Sequence, residues 1–232
     1  MKKTFCALAI LSATSVPVLA APVDVPVTGT IEPVACTLSM PLGLTIDFEV
    51  ISPTTLDANN YTVLPEREID ITLNCDAPTK MGLMAVDKRP GSMAGVTPGP
   101  SGAALVPAPV ELFGRPTTEG VGLGLDGTDK IGGYAIRLVA GKVTVDGNTV
   151  RLISNTPSGT DASWGDNSTG SLYLSTDKRY LSWAAPSTLV PIAFESMTGK
   201  IGVQAYINKK SELDVSKPIK LDGMTTLELV YL

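Results

Sequence analysis

The groups that could do chemistry in this chain are limited by the absence of histidine from its 232 residues. Without an imidazole, the sequence excludes a Ser-His-Asp triad, a His-paired thiolate and every histidine-containing zinc site. Beyond residue 20 the only cysteines are Cys36 and Cys75, which are too few for a four-thiolate zinc site. We therefore expect no metal and no cofactor.

Carboxylates are the chemistry-bearing groups that are left, and a glycosidase needs only two of them at a suitable separation. Glu68 and Asp70, however, stand at alternate positions of an apolar pattern, which is typical of the solvent-exposed face of a strand. Val121–Gly127 contains a G-x-G but lacks the third glycine and the following helix of a dinucleotide-binding fingerprint. We expect a protein that is not an enzyme.

The first twenty residues have the pattern of a secretory signal peptide. Lys2 and Lys3 precede an apolar run from Phe5 to Leu11, and small residues lead to Ala20. Cleavage after Ala20 would remove two lysines, lowering the formal charge from −5 to −7. The remaining charges are scattered, which argues against nucleic acid as a partner.

Export would place Cys36 and Cys75 in an oxidising compartment, where two cysteines indicate one disulfide. Two buried free thiols are the alternative. A cross-link that closes a loop of about 40 residues is worth roughly 4 kcal/mol on the chain-entropy account.

Short alternating segments bounded by turn residues predict an all-β fold, and no segment has a sustained helical period. The clearest strand, Glu68–Cys75, places Ile69, Ile71, Leu73 and Cys75 on one face. Other strands are predicted at Lys142–Val145 and Thr149–Ile153, around the hairpin turn Asp146-Gly147-Asn148, and at Ser171–Leu174, Lys200–Ile207 and Thr226–Leu232. Regular short strands with turn-rich connections favour a β-sandwich.

Residues 89–109 are dense in glycine, proline and alanine. They could link two domains or form a long loop within one. We favour a loop, because neither side has its own complete set of strands.

Both ends of the region after the signal peptide have amphipathic strand patterns. Near the start, one face carries Val23, Val25, Val27, Gly29 and Ile31. Pro22 and Pro26 lie on the alternate positions and cannot donate to a β-ladder, which suits an edge or added strand. At the other end, one face of a strand that runs to the last residues carries Thr225, Leu227, Leu229 and Tyr231. An ordinary first strand is the alternative interpretation of the first pattern.

These residues resemble the pilus (fimbrial) subunits of the chaperone-usher pathway. The motifs are Val27-Thr28-Gly29-Thr30-Ile31, Ala35-Cys36-Thr37, Ile71–Lys80, Val86-Asp87-Lys88-Arg89 and the ending Leu227–Leu232. More narrowly, the chain is similar to fimbrial-like secreted proteins whose domain is formally of unknown function. The resemblance touches both ends of the chain, while the middle is matched only in character.

The resemblance implies an immunoglobulin-like β-sandwich that lacks its last strand, with Cys36 and Cys75 joining its first two strands. Residues 21–32 would be a donor-strand extension and residues 33–232 the domain. Val23, Val25, Val27, Gly29 and Ile31 would insert into a neighbouring subunit. Leu227, Leu229 and Tyr231 would line the acceptor groove, and the carboxylate of Leu232 would anchor to a periplasmic chaperone.

The implied partners are this chaperone, an outer-membrane usher and neighbouring subunits, in a fimbrium secreted through the periplasm to the cell surface. The chain is longer than an ordinary pilin, and Ile219 stands where many pilins have a glycine, so a minor or tip subunit is an alternative to a rod subunit. A freestanding carbohydrate-binding module is the rival interpretation, with Trp164 in a polar run as its aromatic candidate and Trp183 expected in the core.

Overall fold

The structure is a computed structural model that describes residues 26–30, 34–40, 45–157 and 164–232. The chain separates into two units, residues 1–33 and residues 34–232. In the first unit the described residues are Pro26–Thr30, which carry no strand and are exposed. The predicted signal peptide lies outside the described residues.

The second unit is an all-β domain, as the alternation of the sequence predicted. Its strands in chain order are β1 (Cys36–Ser39), β2 (Thr62–Val63), β3 (Arg67–Thr79), β4 (Met81–Asp87), β5 (Ala104–Leu105), β6 (Glu119–Gly122), β7 (Leu125–Asp126), β8 (Asp129–Lys130), β9 (Gly132–Leu138), β10 (Thr144–Val145), β11 (Asn148–Thr149), β12 (Arg151–Asn155), β13 (Gly165–Asp166), β14 (Tyr180–Ala184), β15 (Phe194–Ile207) and β16 (Thr225–Tyr231). A short 3-10 helix spans Lys210–Glu212. No helix among the described residues is long and apolar enough to cross a membrane.

Two antiparallel sheets form a sandwich-like arrangement. The larger sheet has the order β1-β3-β15-β9-β6-β5, with β2 and β10 also pairing with β15 and β11 pairing with β10. The smaller sheet has the order β13-β12-β14-β4-β16, and β7 pairs with β8 separately. The chain passes from one sheet to the other at Lys80, between β3 and β4.

One hydrophobic core joins the facing surfaces of the two sheets. Ile71 and Leu73 of β3 and Met197 of β15 belong to the same buried cluster as Leu181 and Trp183 of β14. The opposite face of the large sheet carries ion pairs of Glu68 with Lys142 and of Asp70 with Lys200. The alternation predicted for Glu68–Cys75 is therefore confirmed: its apolar residues face the core, and its acids lie on the solvent-exposed face.

The glycine- and proline-rich segment folds back onto the large sheet. A second buried cluster joins Met93, Ala94 and Val106 to Ala135 of β9 and Tyr206 of β15. The hydroxyl of Tyr206 donates to the carbonyl of Ala94 at 2.7 Å. Residues 89–109 thus act as a packed cover that contains β5.

One strand prediction is wrong. Ser171–Leu174 forms no strand, although Leu172 and Tyr173 are buried. Its backbone makes the hydrogen bond from Leu172 N–H to the carbonyl of Ile136 and a single bridge between Ser171 and Arg137. The alternating pattern reflected burial of this segment and not a β-ladder.

Candidate strand-acceptor edge

Strand β16 lies at an edge of the smaller sheet, where β4 is its one strand partner among the described residues. The pairing is regular from Thr225, opposite Asp87, to Tyr231, opposite Met81. An unpaired strand edge presents a row of free N–H and C=O groups, which is a template for an added strand.

The hydrogen bonds at the two ends of β16 show which of its backbone groups have no strand partner in the part of the chain that the structure describes. The carbonyl of Met224 accepts from Lys88 N–H, and Leu232 N–H donates to the carbonyl of Lys80. Because backbone groups alternate sides along an antiparallel strand, the even-numbered residues of β16 face β4. The odd-numbered residues therefore point their N–H and C=O groups to the unpaired edge; they are Thr225, Leu227, Leu229 and Tyr231.

The core-facing leucines of β16 are less buried than their neighbours in the same sheet. Leu83 on β4 and Leu181 and Trp183 on β14 are 0% exposed. Leu227 and Leu229 are only partly buried, although they pack against the same core. Additional apolar surface placed beside β16 would remove more of these side chains from water, at about 25 cal/mol per Å².

Partly buried apolar side chains are concentrated near both ends of the domain. Twelve of the sixteen that pack against the main core lie in residues 36–56 or 215–229. Within residues 45–48, Ile46 and Phe48 are partly buried while Thr45 and Asp47 are exposed. This alternation is that of a strand, yet the segment pairs with no strand among the described residues. Two segments beside the core, residues 45–48 and β16, thus have backbone groups that are not paired with a strand among the described residues.

Side-chain hydroxyls form hydrogen bonds at both ends of β16. At its end, the hydroxyl of Tyr231 donates to the carbonyl of Val34 at 2.7 Å, which ties β16 to the segment before β1. At its start, the hydroxyls of Tyr134 and Tyr173 each lie 2.6 Å from Oγ1 of Thr225. Burial raises the pKa of Tyr134 to about 12 and that of Tyr173 well above its ordinary value. Both phenols therefore stay protonated at neutral pH.

Replacing Thr225 by valine is expected to lower the free energy of unfolding by about 1 to 3 kcal/mol, because buried tyrosine hydroxyls lose their shared partner. Urea unfolding measures the change. The matched control is Thr226→Val, on the other face of β16, where a shift within about 0.5 kcal/mol is expected. Equal effects of the two substitutions would show that the hydroxyl cluster does not hold the strand.

The predicted disulfide is confirmed. Cys36 on β1 and Cys75 on β3 lie directly opposite each other in the ladder and are bonded. Asp76 N–H also donates to the carbonyl of Ala35. The disulfide attaches the edge strand β1 to its neighbour β3 in the larger sheet.

The structure describes part of the predicted donor strand. Val23, Val25 and Ile31 lie outside the described residues. Val27 is 95% exposed, and a Cβ added to Gly29 would meet no atom within 4 Å. Their role in strand donation stays a prediction.

The acceptor residues predicted from the sequence are brought together on β16 and just after it. Leu227 and Leu229 face the core, while Tyr231 is 57% and Leu232 45% exposed. Sequence reasoning missed Tyr134 and Tyr173, because residues so far apart in the chain give no local pattern. The one available signal was Thr225, a polar residue at the start of the row that continues with Leu227 and Leu229.

The other candidate residues do not converge on β16. Trp183 is fully buried, as expected, and makes an edge contact with Phe194. Trp164 is partly buried beside β13. Among the described residues, no three histidine, cysteine or carboxylate side chains are grouped so that they could hold a metal ion.

Two comparisons with known proteins relate this chain to proteins whose names assign no function. The family described as "Protein of unknown function (DUF1120)" matches residues 25–135, a range that contains both disulfide cysteines and ends before β16. The chain is also 27% identical over 228 residues to "Uncharacterized protein YhcF" of Escherichia coli strain K12, covering 90% of each chain. The chain is thus similar to a family of unknown function.

Proposed function

We propose that this protein is a structural subunit of a surface fibre, assembled by strand donation through a periplasmic chaperone and an outer-membrane usher. The observation that carries the proposal is the unpaired edge of β16, where free backbone groups alternate beside partly buried leucines. This is the arrangement that β-augmentation requires: main-chain hydrogen bonds give affinity, and alternate side chains enter the apolar margin.

A strand from a neighbouring copy of this chain has suitable chemistry. Residues 23–31 alternate apolar side chains with polar residues or proline. An added strand with this pattern can bury one face against Leu227 and Leu229 and leave the other in solvent. The prolines at positions 22 and 26 lie off the apolar face and limit that strand to an edge or added position.

A chaperone would occupy the edge before a neighbouring subunit does. Tyr231 and Leu232 are both substantially exposed at the end of β16, so they are accessible to a partner that pairs along this strand. In this function the chain carries out no catalytic step.

Purification of the chain from the periplasm, with and without a co-expressed pilus chaperone, tests the proposal. We expect soluble protein mainly as a stoichiometric complex with the chaperone on size-exclusion chromatography. A synthetic peptide of residues 23–31 should displace the chaperone from this complex. A stable monomer that binds neither the chaperone nor the peptide would contradict the proposal and favour a freestanding binding module.

Deletion of residues 21–31 tests strand donation separately from strand acceptance, because it removes the predicted donor strand and leaves β16 intact. The shortened chain should still bind the chaperone, because β16 is intact, but should fail to complement a second copy. Loss of chaperone binding in the shortened chain would show that the segment is an integral strand of its own domain.

A further inference from the structure

A small polar cluster lies under the start of β16, at the end where the acceptor edge begins. Asp87 on β4 and Thr225 on β16 are directly opposite in the ladder. Met224 and Lys88, the next pair, form a hydrogen-bonded pair, so Asp87 and Thr225 form a non-hydrogen-bonded pair, in which side chains approach most closely. The hydroxyls of Tyr134 and Tyr173 complete the cluster around Thr225.

The carboxyl group of Asp87 is only half satisfied. Its Oδ1 accepts the backbone N–H of Arg89 at 2.8 Å. Its Oδ2 is buried and receives no hydrogen bond from any described residue. A buried acceptor without a donor is costly, and more so when it is charged.

The charged and titratable groups around Asp87 do not supply the missing donor. The guanidinium of Arg89 forms two hydrogen bonds with the carboxylate of Asp222, at 2.8 and 2.9 Å. On the other side, Gly102 of the packed cover approaches Asp87 without a side chain. Burial raises the pKa of the Asp87 carboxyl, opposed by the Arg89 N–H and the Arg89 charge.

We propose that Asp87 is a positioning residue of the acceptor edge, whose neutral carboxylic acid donates to the hydroxyl cluster at Thr225 and whose ionised form loosens the start of β16. The proposal rests on the proposed function for the consequence at the free edge. Its effect on folding stands independently.

The direction of the pH dependence follows from the raised pKa of Asp87. Between the ordinary pKa of the unfolded chain and the raised pKa of the folded one, the folded state binds more protons. Stability from this group is therefore present at low pH and is lost as pH rises through the folded pKa. Asp222, whose pKa is lowered by its hydrogen bonds from Arg89, works in the opposite direction.

Thermal unfolding of the wild type and of the Asp87→Asn variant, compared between about pH 8 and about pH 4.5, tests the proposal. This pH range lies above the ordinary pKa of aspartate. The amide stays neutral and offers an N–H in place of the orphaned oxygen. We expect the variant to melt about 2 to 4 °C above the wild type at the high end. The gap should close as pH falls.

The exposed Glu111 supplies the control: Glu111→Gln should follow the wild-type profile throughout. In a second pair of variants, Asp87→Asn with Thr225→Val should melt at the same temperature as Thr225→Val alone at high pH, because the amide then lacks the Thr225 hydroxyl. An Asp87→Asn protein that melts at or below the wild type at every pH would overturn the proposal.

Binding of a synthetic peptide of residues 23–31 tests the connection to the edge. At high pH the peptide should bind Asp87→Asn more tightly than the wild type, and at low pH equally. Unchanged binding, with the predicted shift in melting, would overturn the role at the edge while leaving the role in folding. Absence of peptide binding to any variant would contradict the proposed function, and the melting profiles would still decide the chemistry of Asp87.

Discussion

Replacing both Cys36 and Cys75 by serine is expected to lower the free energy of unfolding by about 4 kcal/mol. The disulfide joins residues 39 positions apart, so the oxidised unfolded chain has far fewer conformations than the reduced one. It also holds the edge strand β1, which pairs with β3 through only four residues. Because domains are stable by only about 5 to 15 kcal/mol, the loss should reduce soluble yield as well. Urea unfolding measures the change.

Reduction of the wild type supplies the control for this prediction, since it breaks the same bond without introducing serine. The reduced wild type and the double serine variant should unfold at similar urea concentrations. A double variant as stable as the oxidised wild type would show that β1 is held by its ladder and packing alone.

Replacing Leu227 and Leu229 together by alanine should nearly abolish binding of a donated strand. Both side chains are partly buried before a strand is added, so part of their burial energy is realised only in the complex. Each leucine should gain about 1 to 2 kcal/mol of burial free energy only when the strand binds. Affinity for a peptide of residues 23–31 should therefore fall by about 10-fold for each leucine and about 100-fold for both. Calorimetric titration measures it.

The same strand provides a matched control. Thr226 and Val230 point to the opposite face of β16, so alanine at both positions should leave peptide affinity within about threefold, as expected of substitutions outside the contact. Equal losses in the two double variants would mean that the peptide does not use the core-facing row.

The sequence predicted the strands whose alternation is set by one buried face. In β3, Ile71 and Leu73 are fully buried, and the terminal strand predicted at Thr226–Leu232 appears as β16. The hairpin around Asp146 and Gly147 is also present, since β10 pairs with β11. At each of these sites local turn chemistry or period-2 burial agrees with the tertiary structure.

The rest depends on contacts that no local pattern encodes. Leu172 and Tyr173 look like a strand because they are buried, but backbone pairing there is limited to a single bridge. The cover formed by residues 89–109 is built from small residues whose packing on Tyr206 is tertiary. The polar cluster at Thr225 likewise draws its side chains from distant parts of the chain.

Amide hydrogen exchange along β16 tests the central claim most directly, because the free edge makes alternate residues differ. In the isolated chain, the amides of Thr226, Glu228 and Val230, which face β4, should be protected, while those of Leu227 and Leu229 should exchange rapidly. Addition of a peptide of residues 23–31 should slow Leu227 and Leu229. Equal protection of all five amides before the peptide is added, or unchanged exchange at Leu227 and Leu229 afterwards, would contradict the assignment of β16 as a strand acceptor.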